Sequence, residues 1–441
     1  MAFTQSLPEI RVSPPGPKSR ALAERLAAVE SPAVDARRKQ RESTSGEPQV
    51  PIVYERGEGP NVVDVDGNRY VDLAAGFGAL LLGHVPPRVA EAVDAQERKM
   101  WLALGDVYAA EAKIRLCERL VQLFPEPGAR VMLGATGADA VTAALKSAML
   151  ATGRAGVLAF EGGYHGLSHG PLAACGLRPS FREPFADQLN AHVVFAPYPR
   201  AAASLEAAMA VVQGALASRE VGAVLVEPIL GRGGCVVPPA AFLPSLSRAC
   251  AQSGALLVCD EIWTGLGRSG AWLASVEAGV IPDLVCLGKG LGGGLPISAC
   301  IGRASVMATW GAHGGTTVHT ATHFGAPPAC AAALATLAAI AEGSLEARAR
   351  EVGTRWADVL RNKLVGCGVA EVRGRGLMIG VEIEGGTARA LGLTRRLLQR
   401  GWIVLTGGSA GDVLTLTPPL DIEEPLLDAF ADALAAAARS A

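Results

Sequence analysis

Short apolar runs alternate with helical stretches between Glu111 and Ile340, a pattern typical of a mostly parallel sheet with crossover helices. The clearest runs are "GAVLVEP", "GALLVCDE" and "DLVCLGKG". Each is continuously apolar, as expected of a strand whose two faces are both covered. We therefore predict an α/β fold for this part of the chain.

The pattern differs on both sides of this region. "NVVDVDGNRYVDL" alternates around Asp66-Gly67, a dipeptide that favours a tight turn, and so predicts a β-hairpin. Before about Pro51 the chain is rich in proline, serine and charge, and we predict an arm with a single helix in "SRALAERLAAVE". After an alanine-rich helix near Pro328, "EVRGRGLMIGVEIE" and "GWIVLTGGSAGDVLTLTPPLDI" predict more strands, followed by a closing helix.

These patterns divide the chain into three parts. Residues 1–75 are predicted to form the arm and hairpin of a small domain, residues 76–335 a large domain, and residues 336–441 the remainder of the small domain. The small domain would be an α+β unit.

Each of the three clear strands ends in an ionisable residue. These residues are Glu227, Asp260 and Lys289. Right-handed crossovers place the carboxyl ends of parallel strands at one edge of the sheet, where open α/β sheets bind their ligands. The three side chains are therefore expected to face one crevice, although each by itself could belong to a solvated salt bridge.

Composition narrows the possible functions. The 441 residues include 40 Lys plus Arg against 42 Asp plus Glu, a balance that does not favour binding to nucleic acid or to an acidic membrane surface. No stretch has the length of a membrane-spanning segment and no secretory signal is recognisable, so we expect a cytoplasmic protein. Nine scattered cysteines without a C-x-x-C pair predict buried, reduced thiols and no metal site.

An aspartate beside a lysine that must at times be neutral suggests pyridoxal 5'-phosphate as cofactor. Lysine forms a Schiff base with its aldehyde, and a carboxylate keeps its pyridine nitrogen protonated. Ala135-Thr136-Gly137 leads into a helix expected to begin near Ala138, whose free N–H groups could bind the phosphate. The same small-residue turn is also common at ordinary helix starts.

An aromatic ring that stacks on the pyridine is also expected. The glycine-rich segment "FEGGYHGLSHG" supplies Tyr164 and His165 after the apolar run "GVLAF". We interpret His165 as a structural hydrogen-bonding residue, because a lysine released from the cofactor can itself move protons.

Several of these segments together resemble the class III pyridoxal-phosphate aminotransferases, the group of ornithine, 4-aminobutyrate and ω-amino acid transaminases and glutamate-1-semialdehyde aminomutase. The resemblance extends from "VVDVDGNRYVDLAAGFGALLLGH" to "LTPPL" and is strongest in "VLVEPILGRGG", "LLVCDEIWTGLGRSG" and "PDLVCLGKGLGGGLPISA". It implies the PLP-dependent transferase fold-type I, in which a large domain has a mostly parallel seven-stranded sheet and a smaller α+β domain is built from both chain ends.

The resemblance also implies residue roles. Lys289 would hold the cofactor and Asp260 would pair with its ring nitrogen, while Ile262 and Tyr164 would cover opposite ring faces. The backbone of Gly137 and Ala138 would bind the phosphate. Thr322, five residues before Pro327, would reach the phosphate of a neighbouring subunit, which implies a homodimer with shared active sites.

The chain departs from relatives that handle dicarboxylates. Leu167 and Thr415 stand where those relatives have arginines, so two guanidinium contacts, each worth roughly 1.5–3 kcal/mol, are lost. Trp263 stands where many relatives have glutamine near the cofactor's phenolic oxygen, and Asp139 replaces a usual glutamate. These departures predict a more apolar pocket.

Two candidates remain for contacts with the substrate. Our hypothesis is that Arg182, in "RPSFREPFADQ", meets an anionic group of the substrate, with an ordinary surface salt bridge as the alternative. Glu227 is a further candidate substrate contact. The reaction expected is transfer of an amino group from a small-molecule donor to a carbonyl acceptor, while an aminomutase, a lyase or a non-enzymatic binding protein on the same fold are alternatives.

Overall fold

The computed structural model describes residues 5–312 and 316–439. Two compact units divide the chain, Met1–Pro86 with Arg348–Ala441 and Pro87–Ala347. The second unit overlaps residues 76–335, which were predicted as the large domain, and the predicted domain bounds stay a prediction. Among the described residues no single helix is long and apolar enough to span a membrane, whereas one bent pair, Pro327–Glu342 with Leu345–Lys363, has the required length and composition.

The described residues contain strands in both units. They are β1 Tyr54–Glu58, β2 Asn61–Asp64, β3 Arg69–Asp72, β4 Arg130–Gly134, β5 Gly156–Phe160, β6 Val193–Ala196, β7 Val221–Val226, β8 Leu256–Asp260, β9 Leu284–Leu287, β10 Ser298–Gly302, β11 Val369–Arg375, β12 Met378–Ile383, β13 Trp402–Ile403, β14 Leu405–Gly407 and β15 Val413–Leu416.

The α-helices of the described residues range from one turn to five. They are α1 Pro17–Ala27, α2 Pro32–Ser45, α3 Ala75–Gly78, α4 Pro87–Glu97, α5 Glu111–Val121, α6 Gly137–Thr152, α7 His169–Ala173, α8 Ala202–Ala217, α9 Phe242–Ser253, α10 Ala274–Glu277, α11 Ala304–Met307, α12 Pro327–Glu342, α13 Leu345–Lys363, α14 Gly386–Gln399 and α15 Glu424–Arg439.

The second unit is built on one seven-stranded sheet with strand order β4-β10-β9-β8-β7-β5-β6. Neighbours from β9 to β6 pair in parallel, and β10 runs antiparallel to both β9 and β4. Residues of α8 and α9 cover one face of the sheet, and residues of α6 and α11 cover the other. This confirms the predicted fold class, because burial on both faces explains the uninterrupted apolar runs.

The first unit contains two four-stranded sheets, β1-β2-β3-β13 and β11-β12-β15-β14. The predicted hairpin is confirmed, since β2 pairs antiparallel with β3 across the turn at Asp66-Gly67. Gly67 has φ of 87°, a value that L-residues with a side chain rarely adopt.

The arm differs from the prediction of one helix, which was wrong. Besides α1, the polar segment "PAVDARRKQRESTS" forms α2, none of whose residues is buried. Pro32 supplies the fixed φ of a first helical turn, and Gly46 ends the helix in the left-handed conformation. Without an apolar stripe the segment gave no periodic signal.

All nine cysteines are free thiols, and eight of them are buried, as predicted. Cys117, on α5, is partly exposed.

Candidate active site

The carboxyl ends of the parallel strands form one edge of the sheet in the second unit. On β10, Ser298 pairs with Gly134 at the end of β4, and Ala299 pairs with Leu287 at the end of β9. The turn before α6 and the segment containing Lys289 therefore begin at the same edge, after the two strands that flank β10. Glu227 follows the last residue of β7, and Asp260 is the last residue of β8.

Lys289 is half-buried as a residue at this edge, its amine is shielded from water, and its backbone is strained. Its φ is 43°, in the left-handed region that residues with a side chain enter at a cost of about 1–3 kcal/mol. Burial lowers the pKa of Lys289 to about 8, although the negative charges of Asp260 and Glu227 act in the opposite direction. With this pKa roughly a tenth of the amine is neutral at pH 7 and able to accept a proton.

The amine of Lys289 lies over an aromatic ring. Its Nζ is 4.2 Å from the centroid of the Trp263 ring, within the range of a cation–π contact. Trp263 is buried, and its indole N–H has no hydrogen-bond partner among the described residues.

Asp260 is oriented by two donors. One carboxylate oxygen accepts a hydrogen bond from the backbone N–H of Ile262 at 3.1 Å, and the other lies 2.7 Å from Nδ1 of His165. Burial by itself would lower the pKa of His165, but the hydrogen bond to Asp260 and its charge outweigh burial and raise that pKa overall. The carboxylate of Asp260 is therefore held in place as an acceptor for a cationic nitrogen.

Glu227 connects two loops at the same edge. Its carboxylate accepts hydrogen bonds from the backbone N–H of Tyr164 at 2.8 Å and of Gly231 at 2.9 Å. Burial raises the pKa of Glu227. Both oxygens are engaged in holding loops, and whether Glu227 also contacts a substrate stays a prediction.

The N-terminus of α6 has the form of an anion site. Thr136 is the N-cap, and a reciprocal pair of hydrogen bonds links it to Asp139. The N–H groups of Gly137 and Ala138, in the first turn, have no acceptor within the helix. At Gly137 a Cβ atom would lie 2.8 Å from Cδ1 of Ile262, so glycine permits the close approach of these two segments. Asp139, expected to make the pocket more apolar, instead caps its own helix.

Within the described part of the chain, the remaining predicted residues make no hydrogen bond, ion pair or ring contact with Lys289, Asp260 or Glu227. The guanidinium carbon of Arg182 lies 4.2 Å from the centroid of Phe195 on the edge strand β6, and Leu167 and Thr322 are exposed. Thr415, in the first unit, is buried and its hydroxyl has no hydrogen-bond partner among the described residues. The roles predicted for Arg182 and Thr322 stay predictions.

Sequence reasoning missed Arg232. Its guanidinium carbon lies 4.4 Å from the centroid of the Tyr164 ring. An arginine flanked by glycines, in the loop after β7 and five residues beyond Glu227, was a signal that could have found it.

Comparison with known proteins decides the family. The sequence model described as "Aminotransferase class-III" matches residues 43–438. The chain belongs to the class III aminotransferases.

Individual class III aminotransferases are similar to this chain along most of their length. The acetylornithine aminotransferase of Mycobacterium bovis is 40% identical over 393 residues, which cover 88% of this chain and 91% of that protein. The 4-aminobutyrate aminotransferase of the same organism is 35% identical over 462 residues, 99% of each chain. The ornithine aminotransferase structure from Toxoplasma gondii has a TM-score of 0.81 at 28% identity and covers 95% of this chain and 97% of that one.

Class III aminotransferases depend on pyridoxal phosphate, and the residues at this sheet edge fit that cofactor. A buried amine, a fixed carboxylate and a helix N-terminus match its aldehyde, ring nitrogen and phosphate. The unpartnered N–H of Trp263 is a further donor beside the amine. The chain is thus an enzyme that transfers amino groups between amino donors and carbonyl acceptors.

Proposed function

We propose that this enzyme acts as a cytoplasmic homodimer and transfers an amino group from an amine or amino acid to a carbonyl acceptor without the two arginine clamps of dicarboxylate-specific relatives. The observation that carries the proposal is the position of Lys289, a buried amine grouped with Asp260 and Glu227 at one sheet edge.

The chain's own groups have distinct tasks. Bound pyridoxal phosphate supplies an aldehyde that condenses with amines and a protonated ring that accepts electron density. Lys289 accepts at Nζ the proton from the amine-bearing carbon of the substrate and later donates this proton to a different atom. It can accept the proton because a pKa of about 8 leaves part of the amine population neutral. Asp260, fixed by His165, holds the ring nitrogen in its protonated form.

Other residues bind and orient the cofactor. The first turn of α6 would hold the phosphate, and the ring of Tyr164 would stack on the pyridine. Ile262 and Trp263 are apolar walls that exclude water from the reacting carbon.

Two observations support the homodimer. Large apolar side chains are exposed between residues 100 and 108, namely Met100, Trp101, Leu102, Leu104, Val107 and Tyr108. Apolar surface of this extent is typical of an interface. Gly105 and Asp106 line a recess together with Thr320 and Ala321, so the apolar segment adjoins the loop of the exposed Thr322.

The free thiols support a cytoplasmic location, because reduced cysteines are the rule in that compartment. Cell fractionation of the source organism tests this part of the proposal.

The reaction is tested by supplying the holoenzyme with an amino donor alone. We expect release of one equivalent of carbonyl product per subunit, and renewed release when a carbonyl acceptor is added. Continued turnover without an acceptor would instead indicate an aminomutase or a lyase.

Complementation tests the shared active site. K289A and T322A homodimers are expected to be weak or inactive, whereas a mixed dimer contains one site with both residues intact. Mixing the two variants through unfolding and refolding should therefore restore activity. Light scattering that finds only monomers would contradict the homodimer.

A further inference from the structure

Arg232 lies in the loop that follows β7, next to the residues assigned to the cofactor. Its guanidinium carbon is 4.4 Å from the centroid of the Tyr164 ring, and its side chain is partly buried. Stacking on an aromatic face holds the plane of a guanidinium while leaving its N–H groups free at the edges.

The loop holds Arg232 in a fixed place. Leu230 and Val236 pair through two backbone hydrogen bonds, of 3.0 and 3.1 Å, and close the loop at its base. Gly231 donates to Glu227, and a Cβ atom at Gly231 would lie 2.3 Å from the Trp263 ring. The residue before Arg232 is thus packed directly against the ring that also lies under Lys289.

Arg232 has no counter-ion within this arrangement. Across residues 5–312 and 316–439, no carboxylate lies within ion-pairing distance of its guanidinium. Glu227 is the neighbouring acid, but both of its oxygens accept backbone hydrogen bonds. A partly buried cation without an acid partner at the edge of a reaction site is suited to an anionic ligand.

The pKa of Lys289 supports a position of Arg232 close to the reaction site. Burial is the main cause of its lowered pKa, and the positive charge of Arg232 lowers it further. The two cations are thus close enough to interact, and a carboxylate bound between them would neutralise one of them.

We propose that Arg232 binds a carboxylate of the amino donor or of the carbonyl acceptor, so that the enzyme prefers anionic substrates over simple amines and aldehydes. The inference rests on the proposed function, because it names the substrate class of the same site. Arg232 would be a substrate-binding residue that acts in place of the arginines missing at Leu167 and Thr415.

The kinetic test compares two acceptors of the same chain length, succinic semialdehyde with a carboxylate and butanal without one, using 1-phenylethylamine as donor. Holoenzymes of wild type, R232Q, R232K and R182Q are assayed, with R248Q, a change at an exposed position of α9, as the matched control. Arg182 is included because it is the other candidate anchor.

In R232Q we expect kcat/KM for succinic semialdehyde to fall on the order of 10- to 100-fold, mainly through KM, and that for butanal to change less than about twofold. R232K should lie between wild type and R232Q, because it keeps the charge but not the planar fork. An unchanged preference in R232Q, or a loss found in R182Q alone, would overturn the proposal.

A binding measurement separates this inference from the reaction itself. Butyrate, which has no amino group and no aldehyde or ketone, is titrated into wild-type and R232Q holoenzyme by calorimetry, with butanamide as the uncharged comparison. We expect the Kd of butyrate to rise about 10-fold or more in R232Q and that of butanamide to stay constant. Equal butyrate binding by both proteins would overturn the role of Arg232. A wild type that binds butyrate through Arg232 but transfers no amino group would instead refute the proposed function alone.

Discussion

The Nζ atom of Lys289 lies 4.2 Å from the centroid of the Trp263 ring. The electron-rich face of an indole stabilises an ammonium group, whereas burial destabilises it. Trp263 therefore limits the fall in the pKa of Lys289.

Replacing Trp263 should change that pKa in a known direction. In cofactor-free W263L we expect the pKa of Lys289 to fall below about 8, by about one unit, and in W263F to fall by less, because phenylalanine retains a weaker cation–π contact. The pH dependence of trinitrobenzenesulfonate labelling, corrected with K289A, measures it. A pKa that rises in W263L would mean that admitted water outweighs the ring.

The lowered pKa of Lys289 links stability to pH. Its folded value of about 8 lies below the usual 10.5, so the unfolded chain binds more protons between these values, and stability rises with pH across this window. Cofactor-free wild type should therefore gain Tm relative to K289M as pH rises from 8 to 10.5. Scanning fluorimetry at both pH values measures this, and parallel changes in the two proteins would refute it.

The positive φ of Lys289 predicts an unusual order of stability. At φ of 43° glycine is unstrained and alanine is not, so K289G should be more stable than K289A by about 1 kcal/mol. In most other settings glycine is the less stable of the two. Denaturant unfolding of the cofactor-free proteins provides the comparison, and a more stable K289A would show that the strain is absent.

Asp260 and His165 should differ in their effects on cofactor affinity. D260N removes the charge that faces the ring nitrogen, and we expect the Kd of pyridoxal phosphate to rise by about 10-fold or more. H165A leaves the carboxylate with one donor from Ile262 and should weaken binding less. Equilibrium dialysis measures both, and an equal loss would make His165 a direct contact instead of a positioning residue.

Thr136 should contribute to stability as a helix cap. T136A loses the hydroxyl that accepts from the N–H of Asp139, at an expected cost of about 1 kcal/mol, whereas T136S keeps it. For a unit of this size that cost is roughly 2–4 °C in Tm. Calorimetry of the cofactor-free variants tests this; T136S as unstable as T136A would exclude capping as the cause.

The sequence predicted those features that depend on local patterns. The dipeptide Asp66-Gly67 favours the backbone conformation of a tight turn by itself. Strands β7, β8 and β9 are apolar because both faces of the sheet are covered. Helix α2 was missed because it has no buried face and therefore no apolar periodicity. Only its helix propensity and the residues at its two ends define it.

Local sequence patterns could not predict side-chain contacts between segments that are distant along the chain. The stacking of Arg232 on Tyr164 joins loops that follow β7 and β5, two strands that are neighbours only in the folded sheet. The use of Asp139 as a cap was likewise decided by the geometry of the turn at Thr136.

The burial of eight of the nine cysteines has a practical consequence for the study of this enzyme. Thiol reagents attack the thiolate, and burial raises the pKa of Cys250 and Cys330 to about 12. Burial raises the pKa of Cys117 on α5 as well, but Cys117 alone among the nine is partly exposed, so a maleimide dye at neutral pH should react there first and the natural sequence already offers one preferred attachment point for a fluorophore.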